Sequence, residues 1–175
     1  YLTHFMNKKL NGFTLVEMIV VVAVIGVLAA ILVPSMLGYV NKSRVSSVNS
    51  NAKTLSNVAS AAVVELAVEG VALPSDTSIT VWNTKTPDAE GKSESEKILI
   101  DKIRKNFKEI EELDGAYCRI ASDGSVAAAV ENNSFYGTYP NITLTDQTND
   151  GYAKSLKFGK TDRLLDWAES GKLSS

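Results

Sequence analysis

Lys8-Lys9-Leu10-Asn11-Gly12-Phe13-Thr14-Leu15-Val16-Glu17-Met18-Ile19-Val20 opens one of the most apolar runs in the chain. A basic pair and a glycine lead into it, and a single carboxylate, Glu17, stands at its front. Residues 18–41 carry no charge. As helix, such a stretch spans about 36 Å at about 1.5 Å per residue. A bilayer core is about 30 Å thick and is crossed by about 20 apolar residues. The run can therefore span a membrane over residues 18–40, with Lys8 and Lys9 kept on the cytoplasmic side. A cleavable secretory signal fits less well, because its apolar core is about 7–15 residues long and ends in a small-x-small cut site with a break. Here helical character continues past Ala29-Ala30.

Beyond Lys42 the pattern changes without stopping. Val45, Val48, Ala52, Leu55, Ala59, Ala62 and Leu66 recur at steps of three and four, which places them on one face of a helix. Ser46, Asn49, Ser50, Lys53, Ser56 and Asn57 fall on the other faces. The helix is predicted to end near Glu69, with Gly70 as its C-terminal cap and Pro74 just beyond. One helix over 13–69 results, apolar all round in its first half and amphipathic in its second. Gly26, Pro34 and Gly38 interrupt it. Pro34 lacks a backbone donor and is expected to kink it.

Composition narrows the function classes. The chain has 175 residues and a formal net charge of −2, against the basic bias of an electrostatic nucleic-acid binder. Five basic and three acidic residues fall in 1–69, leaving 13 basic and 17 acidic residues for the mildly acidic remainder. Cys118 is the single cysteine, so no intrachain disulfide can form, and its alternating apolar setting reads as a small buried side chain. His4, the single histidine, lies in the lead-in. A Cys/His or Ser/His/Asp catalytic site and a histidine zinc site are thereby disfavoured. No enzymatic activity and no cofactor are expected.

Gly12-Phe13-Thr14-Leu15-Val16-Glu17, preceded by Lys8-Lys9 and followed by the apolar run, resembles the class III signal of type IV pilins and type II secretion pseudopilins. The resemblance covers residues 6–70. It implies that 1–12 is a leader, cut between Gly12 and Phe13 by a membrane aspartyl prepilin peptidase, after which the Phe13 amine is methylated. It implies that Glu17 meets the positive amine of a neighbouring subunit, since a carboxylate in apolar surroundings is costly unless paired. Gly26 and Pro34 match positions between which the family's helix can melt during assembly. An assembly platform and its cytoplasmic ATPase would extract the subunit from the membrane. The upstream Tyr1-Leu2-Thr3-His4-Phe5 suggests that Met6 is the true start.

The rest reads as a head over 70–175. Residues 70–92 form a connecting region containing one strand-like piece, 78–82. A second helix is predicted over 93–113, with Ser93 and Glu96 as a capping box, Ile98, Leu99, Ile103, Phe107, Ile110 and Leu113 on its apolar face, and Gly115 as its stop. Strands are predicted at 116–121 and 126–131, joined through Asp123-Gly124, a hairpin signal. Further strands are predicted at 142–145 and 154–158, and a terminal helix at 161–169. The expected fold class is α+β and pilin-like, a long N-terminal helix packed on a small antiparallel sheet. Asp146, Asn149, Asp150 and Gly151 could offer oxygens to calcium but match no complete loop motif, so a solvated turn is favoured. Asn132-Asn133-Ser134 and Asn141-Ile142-Thr143 are glycosylation-type triplets that arise often by chance.

The expected function is that of a pilin. Its partners would be other copies of itself in a helical homopolymer, the peptidase, the assembly machinery and the cytoplasmic membrane, which holds the single-pass precursor before the subunit reaches a surface pilus. The alternative is a major pseudopilin or a competence-type pilus subunit. The missing cysteine pair leans toward a Gram-positive-like type IV pilin.

Overall fold

The computed structural model describes residues 12–84, 92–143 and 161–171. Two compact units make up the chain, Tyr1–Val40 and Asn41–Ser175. A single helix, α1 (Leu15–Val68), runs from one into the other and continues through Pro34. In the first unit its side chains are exposed on every face.

In the second unit α1 buries the stripe read from the sequence: Val45, Val48, Ala52, Leu55, Ala59, Ala62 and Leu66. The helix ends in a Schellman motif. Gly70 takes φ +78, its N–H donates to the Ala67 carbonyl at 3.2 Å, and the Val71 N–H reaches back to the Leu66 carbonyl at 2.9 Å. Glycine enters this left-handed conformation without a Cβ penalty.

Strands β1 (Ser78–Asn83), β2 (Gly115–Ile120), β3 (Val126–Asn132) and β4 (Phe135–Tyr139) form an antiparallel sheet in chain order. Successive side chains of a strand point to opposite faces. Ala116, Cys118 and Ile120 of β2, with Val126, Ala128 and Val130 of β3, join α1 in the main core. Tyr117 and Ala129 face the other way, onto Leu164 and Leu165 of the terminal helix α3 (Thr161–Ser170). Arg119 ties that helix down, donating to Asp166 at 2.7 Å, Glu169 at 3.3 Å and the Ser78 hydroxyl at 3.1 Å. The sheet thus has helices on both faces, an α+β arrangement of the expected kind.

Helix α2 (Glu94–Asn106) starts at the predicted capping box: the Ser93 hydroxyl accepts from the Glu96 N–H, and the Glu96 carboxylate accepts from the Ser93 N–H. It stops earlier than predicted. Phe107 leaves the helical conformation, and a 3-10 helix follows over Lys108–Glu112. The spacing explains this. Phe107, Ile110 and Leu113 are all buried and sit three apart, the repeat of a 3-10 helix rather than of an α-helix. Ile98, placed on the apolar face by the sequence reading, is exposed, and Ile100 is buried in its stead.

The Asp123-Gly124 hairpin forms, with Gly124 at φ +84. Strand β4 was not foreseen. A predicted strand at 142–145 is not borne out over 142–143, which are irregular. Asn133 and Ser134 take φ +50 and +65, a primed turn that sends the chain straight back beside β3. Residues 144–145, the predicted strand at 154–158 and the oxygen-bearing residues Asp146, Asn149, Asp150 and Gly151 lie outside the described residues.

The contact of α1 with β4 is unusually close. A Cβ at Gly137 would overlap the backbone of Val48 and Asn49, so only glycine fits. Beside it, the Asn49 side chain holds three backbone groups. Its Oδ1 accepts from the Thr138 N–H at 3.0 Å and the Thr143 N–H at 3.1 Å, and its Nδ2 donates to the Thr143 carbonyl at 2.7 Å. Thr138 and Thr143, both fully buried, meet hydroxyl to hydroxyl at 2.8 Å. Ser56 is a polar residue of α1 that meets β3 instead. The sequence reading set it on another face, but it is buried and donates to the Val126 carbonyl at 2.8 Å.

Candidate functional site

The candidate site is the start of α1. Gly12, Phe13 and Thr14 precede the helix, and the Phe13 side chain is 80% exposed. Thr14 is the N-cap. Its hydroxyl accepts from the Glu17 N–H at 3.2 Å, while Glu17 Oε2 accepts from the Thr14 N–H at 2.8 Å and the Thr14 hydroxyl at 2.7 Å. This reciprocal pair is a capping box, which satisfies donors that the first helical turn otherwise leaves open. A negative charge in the first turn also opposes the positive end of the helix dipole.

The sequence reading weighed Glu17 as a charge to be met by a neighbouring subunit. The structure adds a partner within the chain: one carboxylate oxygen is engaged by Thr14. The signal was present in the sequence as Thr-x-x-Glu ahead of an apolar run. Gly12, Phe13 and Glu17 are thus brought together at one helix end, within the exposed N-terminal unit. Lys8 and Lys9 lie outside the described residues.

Gly26 and Pro34 are eight positions apart on the same helix, both exposed. A Cβ at Gly26 would meet nothing within 4 Å, so no packing within the chain demands glycine there. Pro34 withholds the N–H that would pair with the Ala30 carbonyl. Next to it the Ser35 hydroxyl donates to the Leu32 carbonyl at 2.9 Å.

The surface along this helix is apolar. Its most apolar window has a mean hydropathy of 3.0, and none of that window is buried. Leu15, Ile31 and Tyr39 are 74%, 70% and 75% exposed. A soluble monomer rarely exposes contiguous apolar patches beyond about 600 Å². Among the described residues nothing covers this face.

Among the described residues no cluster of three or more histidine, cysteine, aspartate or glutamate side chains is placed to hold a metal. Cys118 is fully buried, and burial pushes its thiol up to about 12, so it stays protonated and unreactive.

Residues 7–33 match the family described as "Prokaryotic N-terminal methylation motif". A fimbrial protein of Pseudomonas aeruginosa is 36% identical over 90 residues, covering 50% of this chain and 58% of that protein. The type IV major pilin protein PilA of Myxococcus xanthus is 43% identical over 49 residues, 28% of this chain and 22% of the relative. The type IV major fimbrial protein FimA of Dichelobacter nodosus is 49% identical over 45 residues, 26% of this chain and 29% of the relative. The N-terminal part of the chain is thus similar to fimbrial proteins and type IV pilins. These relatives carry the names of fimbrial and pilin proteins, not of enzymes, and the chain spans 58% of the length of the first. No solved structure matches it.

Proposed function

We propose that this chain is the structural subunit of a type IV pilus, built into a helical surface filament for adhesion, motility or biofilm formation. The observation behind the reading is a capped helix whose first half, apolar on every side, is covered by nothing among the described residues. In the precursor that half would sit in the cytoplasmic membrane. In the filament, copies of it would cover one another.

Processing would cut between Gly12 and Phe13, leaving 13–69 as the helix and 70–175 as the head. Both residues lie outside the helix, and Phe13 is exposed, which favours access by prepilin peptidase. The new Phe13 amine would be methylated. The Thr14–Glu17 capping box lies wholly after the cut and would survive it. It would hold the Glu17 carboxylate at the helix end, where a neighbour's Phe13 amine could add the opposite charge. Gly26 and Pro34 would bound the segment that melts as the assembly platform and ATPase draw the subunit out of the bilayer, since neither position adds packing that resists it.

Mass spectrometry of sheared surface filaments tests this. Abundant filaments whose subunit begins at an N-methylated Phe13 are expected. A chain absent from every filament fraction overturns the reading and favours a pseudopilus or competence-type role. Glu17→Ala is expected to be processed at the normal rate yet to form no filaments.

A further inference from the structure

A polar pocket of about 280 Å³ opens where the β3–β4 turn meets α1, lined by Arg44, Ser47, Val48, Asn132, Asn133 and Phe135. None of the six is acidic. The Arg44 guanidinium lies over the Phe135 ring, 5.6 Å from its centroid. That stacking holds the planar group while leaving its N–H edge open to a ligand. The Asn132 Oδ1 accepts from the Asn133 Nδ2 at 2.9 Å, which leaves the Asn132 Nδ2 as a donor. Neither this amide nitrogen nor the Ser47 hydroxyl makes a hydrogen bond among the described residues. The nearby Asp114 carboxylate is engaged by the Asn133 backbone N–H at 2.7 Å. A charged fork, a hydroxyl and an amide nitrogen, all donors, therefore line a pocket that no carboxylate lines. Such a set suits an oxyanion with several acceptor oxygens.

The position along the chain says which oxyanion. Arg44 is the fourth residue after Val40, one helical turn beyond the apolar run, and Lys42 lies between them. A residue one turn past the hydrocarbon core is at headgroup depth. Tyr39 ends the run as aromatic residues do at a membrane interface. We propose that this pocket binds the phosphate of a phospholipid headgroup in the outer leaflet while the precursor is held in the bilayer. The inference rests on reading the first half of α1 as membrane-embedded before assembly. The lipid would leave the pocket when the subunit is drawn into a filament, so headgroup binding would oppose extraction.

The test uses the full chain purified in detergent, examined by native mass spectrometry with dioleoyl phosphatidylglycerol, dioleoylglycerol or inorganic phosphate added. One phosphatidylglycerol per chain is expected to be retained, and dioleoylglycerol not. Arg44→Gln should weaken retention about tenfold and Ser47→Ala about threefold, as expected for losing charge-assisted and neutral donors. Lys42→Gln, of equal charge change outside the pocket, should weaken it less than about twofold. Equal retention by Arg44→Gln and the unaltered chain overturns the proposal, as does equal retention of dioleoylglycerol. Binding of inorganic phosphate without retention of phosphatidylglycerol also overturns it, in favour of a free-anion site. Alkaline washing of the chain in phosphatidylglycerol vesicles separates the two layers of the argument. If the unaltered chain washes off, the membrane reading fails. If it stays, and Arg44→Gln binds lipid normally, only the pocket assignment fails.

Discussion

The two halves of α1 are one continuous helix built from opposite logics. From Met18 to Tyr39 the side chains are uncharged and mostly aliphatic on every face and none is buried, whereas from Val45 to Leu66 one stripe is buried and the other faces are mostly polar or small. Helicity alone therefore says little about a segment's purpose. What separates the halves is whether the apolar surface finds its partner in the same chain. The second half finds it in the sheet. The first half finds none among the described residues, and on the proposed reading lipid or another copy would supply it.

Substitutions can break this contrast. The largest effect is expected at Gly137, where the helix backbone leaves no space for a side chain. Gly137→Val should destabilise the head by more than about 3 kcal/mol, seen as a large fall in the denaturant midpoint. Next comes Leu55→Ala, which empties a fully buried site and should cost about 3 kcal/mol. The matching change in the first half, Leu28→Ala, should leave that midpoint unchanged, because Leu28 is exposed. A clear loss of head stability from Leu28→Ala would dissolve the contrast. Asn49→Ala strands two N–H groups and one carbonyl at the helix–sheet contact and should cost about 2 kcal/mol, measured by chemical unfolding.

The smallest pair sharpens the comparison most. Two capping boxes occur among the described residues, Thr14–Glu17 and Ser93–Glu96. Ser93→Ala should lower global stability by about 1 kcal/mol, because α2 packs into the core. Thr14→Ala removes an equivalent cap but should leave global stability untouched, since its helix end belongs to no core. Its effect should appear only as faster amide exchange in the first turn of α1.

How far the sequence anticipates this structure depends on what decides each element. The α1 stripe was legible because three- and four-residue steps leave one geometric solution. The cap at Gly70 and the box at Ser93 were legible because each rests on a local pattern. Strand β4 was hidden because Gly137 and Pro140 read as turn residues, and because Asn133-Ser134 lacks the glycine that usually signals a primed turn. Gly137 is required by a helix almost ninety positions earlier in the chain, a condition no local window contains. Ser56 and Asn49 were assigned to outer faces for being polar, yet each satisfies a backbone group of the sheet. Thr14 escaped notice for a different reason. Its spacing from Glu17 was visible, but the carboxylate was weighed as a charge in an apolar setting and not as half of a cap. In the N-terminal segment the local motif was specific enough to show a resemblance, and residues 7–33 match the methylation-motif family, while the pocket at Arg44 depends on a turn that only the fold brings near.

The Asn49 contact has a mechanical side. One side chain grips three backbone groups on the sheet side, and the close approach at Gly137 sits directly beside it. Tension applied along α1 would load these bonds together and in shear, so they would have to fail as a set instead of peeling apart in turn. Were α1 pulled lengthwise, this contact would act as a rivet of small area between the helix and the sheet.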